Sequence, residues 1–164
     1  MAAMVQLLTA ASDPFARDHM QPGHFTASAF IVTADLKHIL LIWHSKLHRW
    51  LQPGGHFEAT DADFVAAARR EVAEETGLTA LHLLAAPFDL DVHVIPARKS
   101  DPAHQHFDVR CLFESPTMAG AASSDAEGLQ WVALDAVDQL ASDASVLRAV
   151  NRLLAMRAKR RGLA

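Results

Sequence analysis

Residues 54–78 read GGHFEATDADFVAAARREVAEETGL, a glycine pair followed by an amphipathic segment and a closing glycine. Glu71, Glu74 and Glu75 are spaced i, i+3 and i+4, so a helix places their carboxylates on one side. Like charges at this spacing destabilise a helix by about 0.3 kcal/mol per pair unless a cation neutralises them. Mg2+ prefers such oxygen ligands, and acids near the last turn of a helix oppose its dipole. The stretch therefore predicts a divalent-metal site, against the alternative of a solvated acidic helix end.

The composition predicts one globular domain that spans residues 1–164. The chain is 51% hydrophobic and 21% charged, which is ordinary for a soluble domain large enough to bury a core. We expect a helical lead-in over residues 1–23 and a terminal helix over residues 142–164.

Charge and cysteine content indicate the binding partners and the cellular compartment of the protein. The formal net charge of -4 argues against general nucleic-acid binding, and no apolar run is long enough to cross a membrane. Basic residues at 157–161 fit a solubilised helix end better than a nucleic-acid or lipid contact. The single cysteine, Cys111, excludes an internal disulfide, and the first residues do not resemble a signal peptide. We therefore predict a cytoplasmic protein.

Hydrophobic periodicity predicts alternating strands and helices. The run His38–His44 is apolar throughout its centre, which indicates burial on both faces and helices on both sides of a sheet. A helix is expected to begin near Thr60 or Asp61 and to end at Gly77, and another to begin at Ser142 or Asp143. Strands are predicted at 24–33, 38–44, 81–85, 88–94, 104–113 and 128–134, with a loop at 45–51.

The central stretch resembles the box motif of the Nudix hydrolase family from Gly55 to Leu78. Residues 70–78, REVAEETGL, match the second half of that motif at every specified position. The first half departs from it: Asp61 stands where the family has Glu, and eight residues instead of seven then precede Arg70. The flanks WLQPGGHFE at 50–58 and WVALD at 131–135 also look like those of bacterial Nudix hydrolases.

This resemblance implies an α/β fold, a Nudix-type α/β/α sandwich with a mixed β-sheet, and a pyrophosphohydrolase activity. The implied reaction is Mg2+-dependent hydrolysis of the pyrophosphate bond of a nucleoside diphosphate linked to another moiety, with Mn2+ as an alternative metal. By resemblance Glu74 and Glu75 are the principal metal ligands, Glu71 ligates or acts as general base, Arg70 holds a glutamate, and the Gly54 carbonyl completes a coordination sphere.

Three points stay open within the resemblance. In this family the base often sits on a later loop, where Asp125 and Glu127 are the candidates. A Nudix-fold module that senses a nucleotide without cleaving it is the alternative, although such a module has no need of all three acids. Dimers are common in the family, which leaves a homodimer open.

Two other groups of residues are predicted to contact a small-molecule nucleotide-type diphosphate. Arg49 and Trp50 lie in a basic loop beside the glycines, a combination that suits phosphate and a flat base; a plain surface loop explains them equally well. His104, His106 and Asp108 share one strand face and match a two-histidine, one-carboxylate metal site. Hydrogen bonding of His104 and His106 to the substrate is the favoured interpretation.

Overall fold

The computed structural model describes residues 1–98, 101–120 and 128–162. No helix in these ranges has both the length and the apolarity needed to cross a bilayer. The elements are α1 (Ala2–Ala10), β1 (Gly23–Thr33), β2 (His38–His44), β3 (Arg49–Leu51), β4 (Gly54–His56), α2 (Phe64–Thr76), β5 (His82–Ile95), β6 (His104–Ser115), β7 (Leu129–Ala133), a 3₁₀ helix (Leu134–Gln139) and α3 (Ala144–Arg160).

The strands form one mixed sheet with β1 at its centre. The strand order is β3-β2-β1-β6-β5, while β4 also pairs with β1 and β7 with β2. β1 and β6 run parallel from Gly23↔Gln105 to Thr33↔Ser115, and the other pairs are antiparallel. Ten of the eleven residues of β1 are buried, as expected for a strand covered on both faces.

Helices cover the two faces of β1, whose side chains alternate between them. Ala27, Ala29 and Ile31 pack with Ala67, Ala68 and Val72 of α2. Phe30 and Val32 face the other way and pack with Val146, Val150 and Leu153 of α3. The predicted α/β/α sandwich with a mixed sheet is confirmed.

The start of α2 differs from the sequence prediction. The helix begins at Phe64, and the Asp63 carboxylate caps it by accepting a hydrogen bond from the Ala66 N–H at 2.8 Å. Thr60 and Asp61 precede the helix. The Asp61 carboxylate does not cap it, because it accepts hydrogen bonds from Arg70 and from the Glu58 N–H. The predicted C-terminal glycine is confirmed, since Gly77 adopts the left-handed conformation with φ 71°.

Tertiary pairing also changes three predicted strand boundaries. The loop predicted at 45–51 ends in β3, which pairs with β2, and β4 adds Gly54–His56 to the edge of β1. The strands predicted at 81–85 and 88–94 are one irregular strand, β5, whose register against β6 shifts on both sides of Ala85. A neighbouring strand supplies the hydrogen-bond partners in each case, and such partners leave little mark on local sequence.

Candidate active site

The glutamates of α2 meet the glycine pair of β4. The Gly54 N–H donates to Glu75 Oε2 at 2.9 Å. At Gly55 a Cβ atom would lie 2.6 Å from Glu71 Oε1, so only glycine leaves room for that carboxylate. Glycine at position 55 thus leaves room for the Glu71 carboxylate, and two predicted metal ligands meet the Gly54–Gly55 backbone.

Arg70 connects the helix, the preceding loop and β4. Its Nη1 donates to Glu71 Oε1 at 3.0 Å and to Glu74 Oε2 at 3.1 Å. Its Nη2 donates to the His56 carbonyl at 2.7 Å and to Asp61 Oδ2 at 2.9 Å. A planar guanidinium can satisfy several acceptors in fixed directions, so Arg70 orients two of the three glutamates.

Asp61 anchors the loop at residues 57–63, which leads into α2, despite the altered first half of the motif. Its carboxylate accepts from Arg70 Nε at 3.2 Å and from the Glu58 N–H at 2.9 Å, in addition to Nη2. The hydrogen bond from Arg70 is the main reason that the pKa of Asp61 is lowered. The shorter acid therefore reaches Arg70 although one more residue separates the two.

The glutamates differ in environment. Burial raises the pKa of Glu71, and the hydrogen bond from Arg70 opposes that shift. The Glu74 side chain is 54% exposed, against 14% for Glu71.

Carboxylate oxygens gathered beside a glycine backbone are a hard, oxygen-only donor set, which fits Mg2+ or Mn2+.

A cavity of about 800 Å³ opens beside β4. It is bordered by six cationic side chains, Arg17, Lys46, Arg49, Arg98, Arg110 and Arg148, and by three acidic ones, Asp91, Asp101 and Asp143. A second cavity, of about 550 Å³, lies at the start of α2 and is lined by phenylalanines together with Asp13, Glu58, Asp61 and Asp63. Cationic side chains outnumber acidic ones in the larger cavity, whereas the residues that line the smaller one include acids and no Lys or Arg, so the larger cavity is the better site for an anionic substrate.

Three histidines that line the larger cavity, His24, His56 and His106, lie close together. His24 and His106 are partners in the parallel β1–β6 register, and β4 brings His56 beside them. The ring centroids are 4.8 Å apart for His24–His106 and 5.1 Å for the other two pairs. Burial, with smaller effects from neighbouring histidines and, for His56, from Arg17, lowers the pKa of His56 to about 4 and that of His106 to about 2. These imidazoles are therefore neutral at neutral pH.

The structure brings some of the predicted substrate residues together. Arg49, His104 and His106 all line the larger cavity. Trp50 does not line it: its indole packs edge-on against Trp43 with ring centroids 5.5 Å apart. The candidate bases Asp125 and Glu127 lie outside the described residues.

Asp108 does not join the histidines as a metal ligand. Its carboxylate accepts hydrogen bonds from Thr26 at 3.1 Å, Ser28 at 2.8 Å and Arg110 at 2.7 Å within the sheet. The two-histidine, one-carboxylate set considered from the sequence is thus replaced by a set of imidazoles.

Sequence reasoning missed His24 and His56. Alternation along β1 places His24 on one face with Thr26 and Ser28, but no local signal shows that β6 pairs in register or that residues 54–56 form a strand.

Comparison with known proteins adds independent findings. Residues 23–154 match the family model described as NUDIX domain. No curated protein matches the chain by sequence.

Three solved structures illustrate the structural likeness. A NUDIX family hydrolase from Clostridium perfringens is 22% identical, with a TM-score of 0.65 over 81% of this chain and 97% of that one. An Ap4A hydrolase from C. elegans, in a binary complex, is 20% identical, with a TM-score of 0.60 over 82% and 98%. The NUDIX domain of Shewanella oneidensis NrtR, complexed with ADP ribose, is 17% identical, with a TM-score of 0.60 over 96% and 97%. At these identities the likeness shows a shared fold.

Proposed function

This chain belongs to the Nudix family, and we propose that it cleaves the pyrophosphate bond of a nucleoside diphosphate linked to another moiety in a Mg2+-dependent reaction. The observation that carries the proposal is that Glu71 and Glu75 meet the glycine pair of β4, while Arg70 holds both Glu71 and Glu74. Every acid of the motif's second half is present, and two of them are oriented by one arginine.

In this proposal Glu74 and Glu75 are the principal metal ligands, with Glu71 and the Gly54 carbonyl as further ligands. Mg2+ or Mn2+, when bound, would neutralise the diphosphate and activate water for attack on phosphorus. Arg70 is a positioning residue, since it fixes the carboxylates of Glu71 and Glu74 before substrate arrives.

The attacking water must lose a proton to a carboxylate. Glu71, Asp125 and Glu127 are the candidates for that general base, and the first is already held beside Gly55.

The larger cavity is the proposed substrate site. Arg49, His104 and His106 line it and are proposed to contact the substrate, and its other cations favour a phosphate-bearing ligand. Trp50 was expected to contact the nucleobase of the substrate. Its packing on Trp43 indicates that it supports the strand that presents Arg49. C. elegans Ap4A hydrolase and the ADP-ribose complex of NrtR suggest nucleotide ligands to try first.

The test is a substrate panel of nucleotide sugars, dinucleoside polyphosphates, NADH, ADP-ribose and nucleoside triphosphates, each incubated with Mg2+ or Mn2+. Products are separated by anion-exchange chromatography, and cleavage in ¹⁸O-labelled water identifies the phosphorus that is attacked. We expect one substrate class to be cleaved between two phosphorus atoms, with no turnover after chelation of the metal. Binding of a panel member without cleavage, at high enzyme concentration, would instead support a nucleotide-sensing module.

A further inference from the structure

Three imidazoles meet at one point of the larger cavity. His24, His56 and His106 each offer one ring nitrogen, and these nitrogens lie within 4.8 Å of one another. Tetrahedral Zn2+ with Zn–N bonds of about 2.0–2.1 Å separates its nitrogens by about 3.3 Å. Binding of Zn2+ at this point therefore requires the nitrogens to move together by up to about 1.5 Å.

His24 is oriented as a metal ligand would be. Its Nδ1 lies 3.2 Å from the His19 carbonyl, which accepts only, so the proton resides on Nδ1 and the lone pair on Nε2. A hydrogen bond of this kind from the distal ring nitrogen is the usual way in which proteins fix a ligating imidazole.

The Nε2 atom of His24 lacks a partner among the described residues. The side chain is fully buried, and this nitrogen has neither a hydrogen bond nor appreciable exposure to solvent. A buried polar atom without a partner destabilises a fold by about 1–3 kcal/mol. A cation at the centre of the three rings would give Nε2 its partner.

His104 lies beside His24, His56 and His106 but is not one of the three proposed ligands. Its ring stacks on His24 at 5.2 Å, and its Nδ1 donates to the Pro102 carbonyl at 2.9 Å. His24, His56, His104 and His106 all border the cavity, so a fourth coordination position is open to solvent or to a ligand there. Arg17 also borders the cavity and favours an anionic fourth ligand.

The nitrogen donors distinguish this group from the glutamates. The two groups contact different residues of β4: Gly54 and Gly55 contact Glu75 and Glu71, whereas the ring of His56 contacts that of His24. Imidazole suits Zn2+ and its late first-row neighbours, while Mg2+ takes oxygen ligands.

We propose that His24, His56 and His106 form a second metal site, which binds Zn2+ or a similar borderline divalent ion and leaves one position open to the cavity. This inference is independent of the proposed hydrolysis. If both hold, His106 reaches the substrate through the ion and not by a direct hydrogen bond.

The test is metal binding by the full chain without a histidine tag. The protein is stripped with a chelator and titrated with Zn2+ against a chromophoric competitor, in the presence of excess Mg2+. We expect one Zn2+ per chain, and His56→Gln or His106→Gln to weaken the affinity about 100-fold or more. The control His82→Gln removes an exposed histidine on β5 and should leave binding unchanged.

Two further measurements separate this site from the glutamates and from misfolding. Glu75→Gln should retain the Zn2+ affinity. The wild-type chain loaded with Co2+ should show the intense visible absorption of a four-coordinate ion, a result that requires no variant. Wild-type protein that binds no Zn2+, or Zn2+ affinity that survives both His56→Gln and His106→Gln, would overturn the proposal, as would loss of binding in Glu75→Gln.

Discussion

Asp61 and Arg70 form a two-pronged ion pair, with Nε to Oδ1 at 3.2 Å and Nη2 to Oδ2 at 2.9 Å. The Asp61 side chain is 5% exposed, so water competes little for its oxygens. The pair joins the loop at residues 57–63 to α2, the helix that carries the glutamates. Loop anchoring and metal-ligand orientation therefore depend on the same guanidinium.

Asp61→Asn should lower the free energy of unfolding by about 1–3 kcal/mol, because a buried charge-assisted contact is lost. Urea denaturation at pH 7 measures the change. The matched control is Asp135→Asn, which breaks an Arg157 pair of similar length, 2.8 Å, whose aspartate is 67% exposed. The control should change the free energy by less than about 1 kcal/mol. Equal effects of the two substitutions would contradict the role given to Asp61.

The contribution of Asp61 should depend on pH. Arg70 lowers the pKa of Asp61 in the folded state below its ordinary value of 3.8. The stabilisation is therefore fully present above the unfolded pKa and is lost as the pH falls through the folded pKa. The difference in unfolding free energy between wild type and Asp61→Asn should stay constant from pH 7 to pH 5 and shrink below about pH 4. A difference that disappears by pH 5 would contradict this assignment.

Gly55→Ala should reduce turnover while the fold persists. The added Cβ meets the end of a flexible side chain, Glu71, so the carboxylate moves and the backbone does not. Gly77→Ala is the complementary variant: nothing lies within 4 Å of its Cβ, but φ is 71°. It should cost about 1 kcal/mol of stability and leave turnover per folded molecule unchanged. Paired melting and kinetic measurements check both, and full activity in Gly55→Ala would argue against a fixed Glu71 position.

Arg110 should be far more important for stability than Arg148, although both contact Asp89 and Asp91. Arg110 is 2% exposed and also donates to Asp108 at 2.7 Å, whereas the Arg148 side chain is 48% exposed. Arg110→Met leaves the buried Asp108 carboxylate without its cation, and we expect a loss of about 3–5 kcal/mol. Arg148→Met should cost under about 1 kcal/mol. Chemical denaturation gives both numbers, and similar losses would show that burial does not govern this network.

The helix and its glutamates were predictable because their signals are local. The spacing of Glu71, Glu74 and Glu75 and the glycine that ends the helix, Gly77, are both readable from short windows of sequence. The start of α2 was misplaced because Thr60, Asp61 and Asp63 are all capping residues, and only Arg70 shows that Asp61 is used elsewhere.

The histidine group was not predictable because it depends on strand register. His24, His56 and His106 come from three strands, and their meeting requires the parallel β1–β6 alignment and the short β4 edge. Asp108 shows the converse: it shares a face with His106 by alternation, yet Thr26, Ser28 and Arg110 bind its carboxylate.

If the α2 glutamates support pyrophosphate cleavage, the loss of one of them must lower kcat, which is measured for Glu74→Gln on the substrate found in the panel. Asp138→Asn, which neutralises an exposed carboxylate in the 3₁₀ helix, serves as the control for charge. We predict that Glu74→Gln lowers kcat about 100-fold or more with an unchanged melting temperature, while Asp138→Asn retains full activity. Wild-type turnover in Glu74→Gln would contradict the account.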